Sequence, residues 1–136
     1  MKRTYIDSGV LIAAARGSGK LAERALSVIS DTESREFVCS DYVKLEVIPK
    51  PTYFGFTTEV NFYENFFATV STWLPFGVEH MEKAFVEACS SGLSSVDAIH
   101  VVVAAGNGCD EIVTSEKPSK AIHRTTLIRV VSIDTE

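Results

Sequence analysis

Short β-prone runs alternate with helical stretches along the whole chain, and this alternation limits its fold more than any other feature. Thr4-Tyr5-Ile6 is a β-prone run that stops at Asp7-Ser8-Gly9. Residues 10–16 then turn helical, until Gly17-Ser18-Gly19 breaks the helix. Leu21, Ala25, Val28 and Ile29 recur at helical spacing, which predicts an amphipathic helix over residues 20–31. A second strand centres on Phe37-Val38-Cys39. Ser40-Asp41 can cap the next helix, which carries Val43, Glu46 and Val47 and which Pro49 and Pro51 are expected to end. Residues 57–71 read as a helix with apolar residues on more than one face, so it is buried or meets a partner. Residues 72–78 contain an edge strand, because Pro75 lacks the N–H that a central place requires. Helices over residues 80–89 and from Ser94 to about Ala105, with strands at Glu111-Ile112-Val113-Thr114 and residues 127–133, complete the chain.

Strands separated by helices pair in parallel, since a parallel pair needs a long crossover. The expected fold is α/β, a three-layer α/β/α arrangement around a central, mainly parallel sheet of four to five strands. With 136 residues and no repeat, low-complexity tract or linker, the sequence predicts a single domain over residues 1–136.

Composition narrows the function. Hydrophobic residues at 46% and charged residues at 23% argue against disorder. A net charge of −5 argues against a broad basic face for nonspecific nucleic-acid binding, although a metal ion and a few local cations can still hold nucleic acid. The three cysteines are odd in number and lack CxxC spacing, which fits free thiols in a reducing cytosol. Asp7 interrupts the N-terminal apolar stretch, so no secretion signal is expected. No run approaches a membrane span. The expectation is a cytoplasmic protein with no membrane partner.

In an open parallel sheet, ligands sit beyond the carboxyl ends of the strands. Asp7 ends the first strand, Glu116 follows the strand that closes at Thr114, Asp97 opens a helix, and Glu46 lies two turns into another. Hard oxygen ligands of this kind suit Mg²⁺ or Mn²⁺, which can activate water and stabilise charge on phosphate oxygens. Each residue also has a plain structural reading. Asp7 can cap a helix, Glu46 can be an exposed helical glutamate, and Ser94-x-x-Asp97 has capping-box spacing. Glu116 can favour a helical first turn by charge alone. His100 lies one turn beyond Asp97 on the same face. A packed or solvent-edge histidine is favoured there over a ligand, because no second histidine has metal spacing. Neither a GxSxG elbow nor a GxxxxGK[ST] loop is present. Lys117, Lys120, His123 and Arg124 form a small cationic patch that is either a solvated turn or a contact for RNA phosphates.

Four segments carry a family resemblance. The run from Tyr5 to Ala14 resembles the opening of PIN-domain nucleases, where an aspartate after the first strand precedes a hydroxyl residue. Residues 40–46 resemble their second motif, ending in a helical glutamate. The stretch beginning Asp97-Ala98-Ile99-His100 resembles the third, and Thr114-Ser115-Glu116 resembles the fourth. The motifs occur in order across nearly the whole chain. The resemblance implies Asp7, Glu46 and Asp97 as metal ligands, Glu116 as a fourth acid, and Ser8 and Thr114 as supporting hydroxyls. It implies a Mg²⁺- or Mn²⁺-dependent endoribonuclease acting on RNA, of the VapC-like toxin type that pairs with an antitoxin protein. Two positions depart from the pattern: Gly9 stands where many members have Asn, and Glu116-Lys117-Pro118 replaces the usual Asp followed by an aromatic residue. These departures leave room for a catalytically idle domain that binds a protein partner or RNA. A phosphate-accepting receiver or phosphohydrolase is a third reading, opposed by the lone acid at Asp7. Eight aromatic residues between Tyr53 and Trp73 exceed what one helix side can bury, which predicts a homodimer and a protein partner on that region.

Overall fold

The structure, a computed structural model, describes residues 1–134. Five strands form one sheet: β1 (Lys2–Ile6), β2 (Arg35–Ser40), β3 (Thr72–Leu74), β4 (Glu111–Thr114) and β5 (Arg129–Ser132). The order is β3-β2-β1-β4-β5, and all four pairings are parallel. In β1, Thr4, Tyr5 and Ile6 are all buried, as in a parallel strand covered on both faces.

The helices are α1 (Ser8–Arg16), α2 (Gly19–Ile29), α3 (Asp41–Val47), α4 (Pro49–Tyr53), α5 (Thr57–Phe67), α6 (Val78–Ser91) and α7 (Ser95–Gly106). A 3₁₀ turn spans Ala121–Arg124. Right-handed crossovers that step from β1 to β2 to β3 place α1 to α5 on one face. The return from β3 to β4 places α6 and α7 on the other. The packing agrees: α1 meets α2, α3 and α5, whereas α6 meets α7 and the 3₁₀ turn. This is the expected three-layer α/β fold, with the sheet fully parallel.

One sequence expectation changes in detail. Pro49 does not end helical structure; it occupies the first position of α4, where its missing N–H is no loss, after a break at Ile48. Pro75 does end β3, which stops at Leu74 and forms a sheet edge as expected. α7 is buried from Ala98 through Ala104, so its apolar character all round reflects a place between sheet and neighbouring helix. Among the described residues no single helix is long and apolar enough to cross a membrane. All three cysteines are free.

The strand order reverses between β1 and β4. Chains leave those two strands in opposite directions, opening a crevice at their carboxyl ends. Asp7 and Thr114 stand on its two sides.

Candidate functional site

Asp7 follows β1 directly and caps α1, its Oδ1 accepting from the Ser8 N–H at 2.8 Å. The same carboxylate accepts from Ser8 Oγ at 3.4 Å and, through Oδ2, from Thr114 Oγ1 at 3.0 Å. The cap therefore engages one oxygen, and the other faces Thr114. The Thr114 bond bridges the crevice and fixes the carboxylate, which is 7% exposed.

Glu46 reaches the same place from the second turn of α3. His100, fully buried on α7, joins the two acids. Its Nε2 lies 2.6 Å from Glu46 Oε1 and 3.7 Å from Asp7 Oδ1. One donor atom from each of Asp7, Glu46 and His100 falls within 4.8 Å of the others. His100 is the only cationic side chain in ion-pair range of Asp7 or Glu46 among the described residues; no Lys or Arg offsets their charge. The other ring nitrogen, Nδ1, lies 2.7 Å from the Tyr5 hydroxyl, which is itself 2.7 Å from Ser40 Oγ. Burial pushes the Tyr5 hydroxyl well above its ordinary pKa and keeps it protonated. For His100, burial opposes the charged form, but the hydrogen bond to Glu46 and the charges of Asp7, Glu46 and Asp97 outweigh it and raise the pKa.

Asp97 sits in the first turn of α7, its N–H accepted by the capping Ser94 Oγ at 3.2 Å. Burial, then the charges of Asp7 and Glu116, raise its carboxyl pKa. Asp97 thus lies in the field of both Asp7 and Glu116. Glu116 is exposed and donates its N–H to Thr114 Oγ1 at 3.1 Å. Asp7, Glu46 and His100 form the contacting cluster, with Asp97 and Glu116 around it.

The packed histidine expected at position 100 is fully buried and contacts both acids, and the Tyr5 and Ser40 hydroxyls behind it lie outside the expected site residues. The three-residue step from Asp97 to His100 on one helical face was the available signal. Nothing in the strand pattern separates Tyr5 from an ordinary core residue. The cationic patch divides as well. Arg124 donates to the carbonyls of Ser91 and Gly92 at the end of α6, and His123 donates to the Glu116 carbonyl. Lys117 and Lys120 remain exposed. At Gly9, an added β-carbon would collide with Ser115 Oγ and lie 3.2 Å from Ser115 Cβ, so the Ser115 side chain occupies the space an Asn would need. A cavity of about 600 Å³ between α6 and α7 includes none of the site acids in its lining.

No protein-family model and no curated protein matches the sequence. Solved structures do. VapBC2 from Rickettsia felis, bound to a DNA fragment from its promoter, matches with a TM-score of 0.73 at 12% identity, covering 96% of this chain and 98% of that one. A toxin–antitoxin complex from Klebsiella pneumoniae matches with a TM-score of 0.74 at 15% identity, covering 96% and 98%. Mycobacterium tuberculosis VapC20, a sarcin–ricin-loop-cleaving toxin, matches with a TM-score of 0.63 at 17% identity, covering 80% and 86%. Identities this low speak to the fold alone.

Proposed function

The chain has a VapC-like PIN-domain fold, and on that premise we propose that it is a metal-dependent endoribonuclease, the toxin of a toxin–antitoxin pair. The observation that carries this reading is the convergence of Asp7, Glu46 and His100 at the crevice between β1 and β4, where two carboxylates have no Lys or Arg ion-pair partner among the described residues. That donor set fits a divalent cation, which relieves the repulsion of the acids. Asp7, Glu46 and Asp97 would hold Mg²⁺ or Mn²⁺, with Glu116 as a fourth acid. A bound ion supplies an activated water and charge stabilisation on the phosphate. Thr114 and Ser8 orient Asp7, and Lys117 with Lys120 offer contacts to RNA phosphates beside the acids. The test is cleavage of a generic single-stranded RNA by purified protein. We expect cleavage with millimolar Mg²⁺ or Mn²⁺ and none with EDTA. RNA left intact under every metal condition would favour an idle domain that only binds RNA or a partner.

The same reading includes an antitoxin partner and a homodimer, with the exposed aromatics as contact. Of the eight aromatics from Tyr53 to Trp73, Tyr63, Phe66 and Phe67 enter the core, and Phe62 and Trp73 are half-buried. Tyr53, Phe54 and Phe56 stay exposed at 84%, 60% and 53%, with rings of Phe54 and Phe56 stacked. Phe54→Asp should leave the fold intact yet release the antitoxin or the second protomer. Phe67→Glu should unfold the chain, because an unpaired buried charge costs several kcal/mol. Sedimentation of wild type and both variants, with and without the co-expressed upstream gene product, checks this; a partnerless wild-type monomer would count against it.

A further inference from the structure

The proposal that the crevice holds a divalent ion leaves open which ion, and the structure carries a specific answer. The cluster is not made of acids alone. His100 is fully buried, yet its Nε2 faces two carboxylates from different elements rather than a carbonyl or another core group. Two donor atoms each about 2.1 Å from one ion lie about 3 Å apart at a right angle and about 3.6 Å apart at 120°. The 3.7 Å between Nε2 and Asp7 Oδ1 matches the second spacing. The 2.6 Å contact to Glu46 is the hydrogen bond that a proton on Nε2 makes when no ion is held. Glu46 sits on a flexible, partly exposed side chain and can open that contact with a small swing.

The far side of the ring supports the same assignment. A ligating histidine needs a partner on its other nitrogen to fix its tautomer and orientation. Nδ1 has one, the Tyr5 hydroxyl at the end of β1, which Ser40 at the end of β2 holds in turn. Both hydroxyls can donate or accept. With the proton on Nε2, the chain runs from Ser40 through Tyr5 to Nδ1. With Nε2 free to ligate, it runs in reverse: Nδ1–H donates to Tyr5 and Tyr5 donates to Ser40. Neither arrangement leaves a buried polar atom unpaired.

We infer that His100 is a direct ligand of the ion through Nε2, and that the mixed donor set of Asp7, Glu46 and His100, backed by Tyr5 and Ser40, selects a first-row transition metal such as Mn²⁺ over Mg²⁺. Imidazole nitrogen adds affinity for transition metals that a purely carboxylate site does not offer, and Mg²⁺ gains little from it. This inference rests on the reading that the crevice binds a divalent ion.

The experiment uses the full chain, freed of metal by chelation and dialysis, with Mn²⁺ alone and Mg²⁺ alone as probes. Electron spin echo envelope modulation of bound Mn²⁺ should show nitrogen coupling from an imidazole. Equilibrium binding should place the Mn²⁺ Kd at least about 10-fold below that of Mg²⁺, the direction set by the ligand type. His100→Gln should remove the nitrogen coupling and most of the preference. Tyr5→Phe keeps the core aromatic and should weaken Mn²⁺ binding about 10-fold while retaining the coupling, as loss of an outer-shell partner does. The wild-type spectrum needs no variant, so a misfolded His100→Gln does not remove the test. Bound Mn²⁺ without nitrogen coupling, or equal affinity for the two ions, overturns the assignment while leaving a metal-binding crevice in place. A chain that binds neither ion overturns the metal reading itself and this inference with it.

Discussion

Asp97→Asn is expected to abolish metal-dependent RNA cleavage while raising the melting temperature of the metal-free protein. The two effects have one cause. Burial, then the charges of Asp7 and Glu116, hold the Asp97 carboxyl above its ordinary pKa. The folded state therefore binds that proton more tightly than the unfolded state does. The associated stability is fully present below the unfolded pKa, about 3.9, and is lost as pH rises through the raised folded value. Above that range the Asp97 carboxyl opposes folding, and the neutral amide removes that opposition. The stabilisation by Asn should shrink as pH falls toward 4 and vanish below it. Saturating Mn²⁺ should invert the order, because an ion that binds the folded form stabilises wild type more than a variant that has lost one of the acids. Asp7→Asn should lose cleavage as well, each variant by at least about 100-fold, beyond the roughly 10–100-fold that outer-shell changes cost. Thermal melts across pH 3–8 with and without Mn²⁺, beside single-turnover cleavage, separate the outcomes. An Asp97→Asn protein that is less stable than wild type at pH 7 and still cuts RNA would remove Asp97 from the site.

The residues that could be read from sequence are those whose role coincides with a chain-local pattern. Thr4-Tyr5-Ile6 and Glu111-Ile112-Val113-Thr114 announce themselves as strands because both of their faces are buried and their turns are sharp. Pro75 announces an edge because a missing donor matters only inside a ladder. Ser94 announces a cap three residues before Asp97. What stayed hidden depends on register and crossing. The parallel pairing of β1 with β2 lays Tyr5 opposite Val38 and brings its hydroxyl to Ser40 and to His100 on α7. A period-two pattern sees only a large apolar ring. Glu46 and His100 are 54 residues apart and touch only because α3 and α7, from opposite layers, both overhang the carboxyl edge of the sheet. Gly9 reads as a departure in one dimension and as a close approach to Ser115 in three.

Arg35→Met is expected to be among the most destabilising single changes outside the core, and it acts at the opposite edge of the sheet from the crevice. Glu111 begins β4 and is only 2% exposed. Its carboxylate accepts from Thr4 Oγ1 at 2.7 Å and Arg35 Nε at 3.2 Å, with Lys2 Nζ at 3.8 Å. The registers that pair Lys2 with Arg35 and Thr4 with Glu111 bring these groups together. Lys2 is half-exposed and screened, so Arg35 is the main compensation for a charge removed from water. Removing one partner of a buried pair leaves the other uncompensated, at about 3 kcal/mol or more. In a domain of this size that is roughly a 10 °C fall in Tm. Glu111→Gln keeps an acceptor for Thr4 and strands only Arg35, which can turn toward Asp31 and solvent; its cost should be nearer 1 kcal/mol. The double variant Arg35→Met with Glu111→Leu should be more stable than Arg35→Met alone, because no charge is then left buried. Urea unfolding of wild type and the three variants measures these differences, and cleavage by the folded fraction should be unchanged in each. If Arg35→Met costs under about 0.5 kcal/mol, the carboxylate is held by Thr4 and Lys2 alone, as a surface pair would be.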